Sequence, residues 1–322
     1  MKDSNVFLIK DFVDNNITES TVKVETTKLV AKFQEDIKKL DDDDFIEIMI
    51  SCFIPDIYRD NGKKEKLYTK LSEVIVGEWW KRLGGEFIIP TKKSGTEDVE
   101  LINGNISVVC DAKIFRLGRS QKAPNVKDFL KLASVKTWMD NLVKRYSQNG
   151  KIQKAIGGMV TYSSLHEWEG ESEVYLECTN KDTPVVMLPY EILALLLKYK
   201  SKFKVRDLMQ MWDYEKLFNN ATKSKVKYWK VIDGFLVDLL DISEDNYYKE
   251  IQSYRESIII SVKEYEKIIS KEIDDNINEI ISKLNSFEKI EEVREYAKES
   301  LDSFVNKQHY DYIDRIKKFR KY

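Results

Sequence analysis

Histidine, cysteine and proline are all scarce in this 322-residue chain, at two, three and five residues. His166 and His309 lie far apart in sequence, so a histidine-based active site is not indicated. Cys52, Cys110 and Cys178 are odd in number, widely spaced and form no Cys-x-x-Cys pair. That pattern supplies neither a disulfide framework nor a zinc site. With five prolines and twelve glycines there is little material for disordered linkers. No apolar run reaches the roughly 18 residues that a membrane-spanning helix needs. Met1 to Lys10 hold charges around the short run Val6-Phe-Leu-Ile9, which is no secretory signal, and a cytoplasmic protein is expected. The chain also lacks a Gly-x-x-x-x-Gly-Lys-Ser/Thr phosphate loop, a Gly-x-Gly-x-x-Gly turn before a helix and a Gly-x-Ser-x-Gly elbow. Translocating motors, dinucleotide enzymes and serine hydrolases therefore find no support.

What is present is charge and helix-forming residues. Apolar residues make up 42% and charged residues 34%, as in a globular protein long enough to bury a sizeable core. The net charge of −2 argues against a protein that coats nucleic acid passively. The average hides an asymmetry. From Lys113 to Lys154 eleven basic residues face only Asp128 and Asp140, whereas Glu35 to Glu47 holds seven acids against Lys38 and Lys39. A local basic stretch in a near-neutral chain suggests a polyanion contact, although a solvated helix face accounts for the same run.

Hydrophobic periodicity divides the chain into three parts. Residues 1–62 read as helical, with helices over Val22–Phe33 and Asp44–Phe53 and a turn at Asn61-Gly62. Residues 63–200 read as an α/β core. It opens with a helix over Lys64–Leu83, stopped by Gly84-Gly85. Strands are expected at Glu86–Ile89, Asp98–Leu101, Ile106–Ala112, Ile156–Tyr162, Val174–Glu177 and Pro184–Leu188. Helices are expected over Asp128–Lys144 and Tyr190–Tyr199. Residues 201–322 read as nearly all helix. The expected fold class is α/β (α+β), a central mixed sheet flanked by helices within one domain spanning 1–322. The six tryptophans are most simply core or interface anchors.

The chemistry is expected where the strands cluster. In Ile106-Ser-Val-Val-Cys-Asp-Ala-Lys113 the side chains of Asp111 and Lys113 share one face of a strand, with Ser107 and Val109 behind them. Ile106, Val108, Cys110 and Ala112 take the other face. The Asn103-Gly104 turn would bring Asp98 alongside on a hairpin partner. Two carboxylates meeting at strand ends repel each other, and a hard divalent cation such as Mg2+ removes that repulsion. An adjacent amine then suits phosphodiester hydrolysis, where it steadies a water molecule and the negative transition state. Glu73, on the helix before the sheet, is a further candidate ligand, but Glu65 and Glu78 lie on the same helix. Asp-x-Lys occurs twice, at Asp36 and at Asp111, and only the second lies on an expected strand. By itself the pattern also fits an ordinary ion pair at a strand end.

These residues carry a resemblance. Asp98-Val-Glu-Leu101 followed by Val109-Cys-Asp-Ala-Lys-Ile-Phe-Arg-Leu-Gly-Arg119 resembles the HindIII-type type II restriction endonucleases, of the PD-(D/E)xK superfamily. Glu65-Lys-Leu-Tyr-Thr-Lys70, Val126-Lys-Asp-Phe129, Trp138 and Tyr190-Glu-Ile-Leu-Ala-Leu-Leu196 extend it in order over about 60–270. The resemblance implies a restriction-endonuclease-like core, a homodimer, Mg2+ dependence and cleavage of double-stranded DNA at a short palindrome, with AAGCTT a candidate. It implies Asp98, Asp111 and the backbone carbonyl of Ala112 as metal ligands, and Lys113 as the catalytic lysine. Thr96-Glu97 stands where the superfamily has a proline before the first acid, and a regular strand would turn Glu97 to the face opposite Asp98.

Arg116, Arg119, Lys122, Asn125 and Lys127 follow the catalytic strand directly and become the candidate DNA-binding residues. A second basic run, Lys223 to Lys230, either grips the DNA backbone or starts a helix with Tyr228 or Trp229 in the core. Two-fold DNA sites also favour a homodimer, with Ile251 to Phe319 as candidate interface or DNA-embracing arms. The competing readings are a repair or recombination nuclease on the same core, and a non-catalytic DNA-binding helical protein.

Overall fold

A computed structural model describes residues 7–18, 21–58, 61–90, 95–114, 130–162 and 170–300. Three helices lead the chain: α1 (Leu8–Asn16), α2 (Thr26–Ile37) and α3 (Asp42–Ile50). The long helix α4 (Gly62–Arg82) follows. Asn61 is its cap rather than part of a turn, because its side chain accepts a hydrogen bond from the Lys64 N–H at 3.2 Å.

Five strands form one mixed sheet in sequence order: β1 (Glu86–Ile88), β2 (Val99–Asn103), β3 (Ile106–Ala112), β4 (Lys154–Tyr162) and β5 (Val185–Pro189). The pairs β1–β2 and β2–β3 are antiparallel, while β3–β4 and β4–β5 are parallel. Asn103 pairs with Ile106, so the turn residues are Gly104 and Asn105. Gly104 has φ 61°, a conformation that side chains disfavour and that tight hairpin turns require.

Both faces of the sheet are covered. On one, Phe87 pairs with Leu101 and Leu101 with Val108, and α4 lies across them. At Gly77 of α4 a Cβ would come within 2.3 Å of the Phe87 ring, so only glycine permits this approach. Trp79 and Trp80 are fully buried; their indole N–H groups donate to the carbonyls of Leu193 (2.8 Å) and Ile102 (3.0 Å). Helix α5 (Leu132–Gln148) packs on β3 and β4 and meets the opposite face, where Glu100 lies. Ser107 and Val109 are consequently as buried as Val108 and Cys110. Alternation along β3 thus separates two covered faces and not a core face from a wet one.

One expected strand is a helix. Val174–Glu177 lies within α6 (Glu173–Cys178), whose cap Ser172 accepts from the Val174 N–H. Val174, Tyr175 and Cys178 are its buried residues, a helical spacing that a six-residue window of β-prone residues conceals. Helix α7 (Tyr190–Lys198) follows β5 and is buried from Tyr190 to Leu197, as its apolar run requires. Short helices α8 (Val205–Leu208) and α9 (Tyr214–Leu217) lead to α10 (Lys225–Leu240) and the 42-residue α11 (Glu244–Asn285). Tyr228 of the second basic run is fully buried and its hydroxyl accepts from the Met187 N–H at 3.0 Å, so it anchors α10 to β5.

The chain divides into two compact units, Met1–Val262 and Lys263–Tyr322. The sheet and the candidate site belong to the first. In the second, Ile273, Ile277 and Ile280 of α11 are about half exposed. No helix among the described residues is long and apolar enough to cross a membrane.

Candidate active site

The register of β2 and β3 brings the acids together. The ladder ends with Val99 paired to Cys110, which leaves Asp98 and Asp111 as the next residues along the two chains. The Asp98 N–H donates to the Cys110 carbonyl at 3.0 Å, which holds the chain to β3 just beyond the end of β2. The Asp98 carboxylate accepts from the Ala112 N–H at 3.1 Å and shares a hydrogen bond with Asp111. Lys113 continues the face of Asp111, and its Nζ lies 2.8 Å from Asp111 Oδ2. Its backbone N–H donates to Thr161 of β4 at 2.9 Å, so the amine starts from an anchored point. The expected trio of Asp98, Asp111 and Lys113 is therefore brought together where β2 begins and β3, the central strand, ends.

Glu73 joins it from α4. Of the three glutamates considered on this helix, Glu73 is the one beside the two aspartates, buried to 3% exposure and held by Lys70 at 2.5 Å. Glu78 instead faces Arg82, at 3.7 Å. Burial pushes Glu73 up to about 8, with the charges of Asp98 and Asp111 adding to the rise and Lys70 opposing it. Burial likewise pushes Asp98 up to about 7, reinforced by Asp111 and opposed by the Ala112 N–H and Lys113. Burial and repulsion thus raise Asp98 and Glu73 at a place where three carboxyl groups meet the two lysines Lys70 and Lys113, a deficit of one positive charge.

That deficit is the observation that tests a magnesium site. Among the described residues no three acidic, histidine or cysteine side chains form a ready ligand cluster. Magnesium does not need one, because it takes one or two carboxylates and fills its remaining positions with water and phosphate. Asp98, Asp111 and a nearby backbone carbonyl are oxygen donors of the hard type it prefers. The residues fit the ion.

A second buried polar group on the same hairpin escaped the sequence reading. Arg145 of α5 donates to Glu97 at 2.8 Å and to Glu100 at 2.7 Å, and both carboxylate side chains are fully buried. Glu100 also accepts from Ser107 at 2.8 Å, and Ser107 from Gln153 at 2.8 Å. Burial alone would lower Arg145, but Glu97 and Glu100 outweigh it and hold the guanidinium above its usual value. Glu97 turns to Arg145 while Asp98 turns to Asp111, and Glu97 shares that arginine with Glu100 because the chain leaves regular strand geometry before Val99. A signal was there to find: Val135, Trp138, Leu142 and Arg145 form one helical stripe, and a cation on a buried stripe demands buried anions. Arg116, Arg119, Lys122, Asn125 and Lys127 lie outside the described residues.

Comparison with known proteins places the chain in a family. A family model matches residues 12–300, and the class it defines is that of the restriction endonucleases. Within that class the chain belongs to the HindIII restriction endonuclease family. An uncharacterized ATP-binding protein of Methanocaldococcus jannaschii is 31% identical over 112 residues, which is 35% of this chain and 28% of that protein. The chain thus spans little more than a quarter of that relative's length. Among solved structures, the small subunit of the heterodimeric restriction endonuclease R.BspD6I aligns over 71% of this chain and 97% of its own. The identity is 13% and the TM-score 0.26.

Proposed function

We propose that this protein is a Mg2+-dependent type II restriction endonuclease that hydrolyses double-stranded DNA at a short palindrome, leaving 5′-phosphate and 3′-hydroxyl ends. The observation that carries the reading is the meeting of Asp98, Asp111 and Lys113, with the Lys113 amine 2.8 Å from Asp111. Asp98, Asp111 and the Ala112 carbonyl would hold the magnesium ion, with Glu73 as an outer or second-ion ligand. The ion, when bound, supplies Lewis acidity toward a phosphate oxygen and water.

The protein groups do the rest. Lys113 orients the attacking water and offsets charge as the new P–O bond forms and the bond to the 3′ oxygen breaks. The departing 3′ oxygen takes up a proton, and the water oxygen stays on the 5′ phosphate. Lys70 holds Glu73 toward the aspartates. Arg116, Arg119, Lys122, Asn125 and Lys127 are proposed to meet the DNA, most of them fixing phosphates. A homodimer in the cytoplasm, matching the two-fold axis of a palindrome, completes the reading, with AAGCTT as the first site to test.

Digestion of plasmid DNA with Mg2+, followed by sequencing of the ends, tests it. The expected result is a defined fragment set with one recurring terminal sequence. Random degradation, or cutting confined to branched structures, would transfer the protein to the repair nucleases.

A further inference from the structure

Nothing in the covalent chain stiffens the approach to Asp98. The preceding residues are Gly95-Thr96-Glu97, with Gly95 at φ 75° and no proline to restrict the backbone. Yet two residues one turn apart on α5 grip this segment on both sides of the acid. Asn141 donates to the Gly95 carbonyl at 2.8 Å. Arg145, four residues on, donates to Glu97 and Glu100. Glu97 adjoins Asp98 directly, and Glu100 lies two residues beyond it on β2.

We propose that α5 is a positioning clamp for Asp98, in which Asn141 and Arg145 set the backbone from Gly95 to Glu100 and so aim the carboxylate toward Asp111. The inference rests on Asp98 being a metal-binding acid. Both clamp contacts leave Asp98 itself untouched. They therefore act through the backbone, as the outer partners of metal ligands do when they fix ligand direction. The planar fork of arginine suits this task, because one side chain reaches two carboxylates at fixed angles, which a lysine ammonium does not reproduce.

The test uses the full-length protein, with Ca2+ alone as the calorimetric probe and single-turnover plasmid cutting with Mg2+ as the second readout. Arg145→Lys is expected to weaken Ca2+ binding and slow cutting, each by about 10- to 100-fold. Affinity for metal-free DNA is expected to stay unchanged. Asn141→Ala, which removes one neutral hydrogen bond, is expected to show the same pattern at about 2- to 10-fold. Leu236→Ala, a cavity in the core of α10, is the control for lost stability and should alter neither readout while folded. If Arg145→Lys does not fold, Asn141→Ala decides alone. Asp98→Ala separates the two levels of the argument. Should it bind Ca2+ like the native protein, the metal-site reading falls. Should it lose Ca2+ while both folded clamp variants bind and cut like the native protein, the clamp falls by itself. Losses in the clamp variants that merely track melting temperature, as Leu236→Ala defines it, would also overturn the clamp.

Discussion

Two sets of carboxylates meet at the β2–β3 hairpin, one of them joined by Glu73 from α4, and the protein treats them differently. Glu97 and Glu100 are fully buried, but Arg145 answers both at 2.8 and 2.7 Å. Asp98, Asp111 and Glu73 have Lys113 and Lys70 as cations, and burial, reinforced by repulsion among the carboxylates, raises Asp98 and Glu73. In the first set one guanidinium bridges both carboxylates. In the second, Asp98 and Glu73 hold their protons toward neutral pH, and a cation would stabilise their charged forms. Proximity of acids is common to both, so it is not the mark of a site. The mark is acids whose pKa values are raised where they meet.

The sharpest way to break this comparison is to remove the amine from the second set. Lys113→Ala is expected to lower Mg2+-dependent cutting by at least about 10²- to 10³-fold while DNA binding is retained, read by gel shift and plasmid assay. Cutting at the native rate would remove Lys113 from the chemistry. Next in size is the loss of charge from the first set. Arg145→Met strands two carboxylates and should cost about 2–4 kcal/mol in denaturant unfolding, the lower end reflecting the partial exposure of the arginine. Asp98→Asn, by contrast, relieves repulsion and should leave stability unchanged or raise it by about 1 kcal/mol. Equal destabilisation by the two variants would erase the distinction.

A third effect is read in pH. Asp98 and Glu73 ionise in the unfolded chain near their ordinary values of 3.8 and 4.5, but hold their protons to about 7 and about 8 when folded. Between those limits the folded state binds more protons, so these two groups lower stability as pH rises from about 4 to about 8. Metal-free protein should therefore lose melting temperature across that window, less so in the Asp98→Asn variant. Mg2+ should protect more at pH 8 than at pH 5.5, because binding must displace those protons at the lower pH. A metal effect independent of pH would contradict the assignment. The smallest effect is expected at the turn joining the strands. Gly104→Ala, at φ 61°, should cost about 1 kcal/mol with cutting nearly intact, since the acids stand at the far end of the hairpin.

Much of this is legible in the sequence, and unevenly so. The pairing of Asp111 with Lys113 needed only the two-residue repeat of a strand. The approach of Asp98 needed only a tight turn near Asn103-Gly104 and residue counting. Helix α4 declared itself by its apolar stripe and by Gly84-Gly85 at its end. Val174–Glu177 was misread because its run of β-prone residues is as short as a strand, while its actual state was set by the Ser172 cap and by the burial of Val174, Tyr175 and Cys178. The shared hold of Arg145 on Glu97 and Glu100 is not legible from strand alternation, because the chain before Val99 is irregular.

The order of residues alone determined which side chains share a strand face, where the chain turns and which acid precedes which amine. All of these follow from rules that act over a few neighbouring residues. Only the tertiary structure decided that Glu73, rather than Glu65 or Glu78, stands beside Asp98 and Asp111, and that Arg145 reaches back across more than forty residues to Glu97 and Glu100. Those choices depend on how a helix is rotated and seated against a sheet. Packing sets that rotation over the whole interface at once, so no local stretch of sequence contains it.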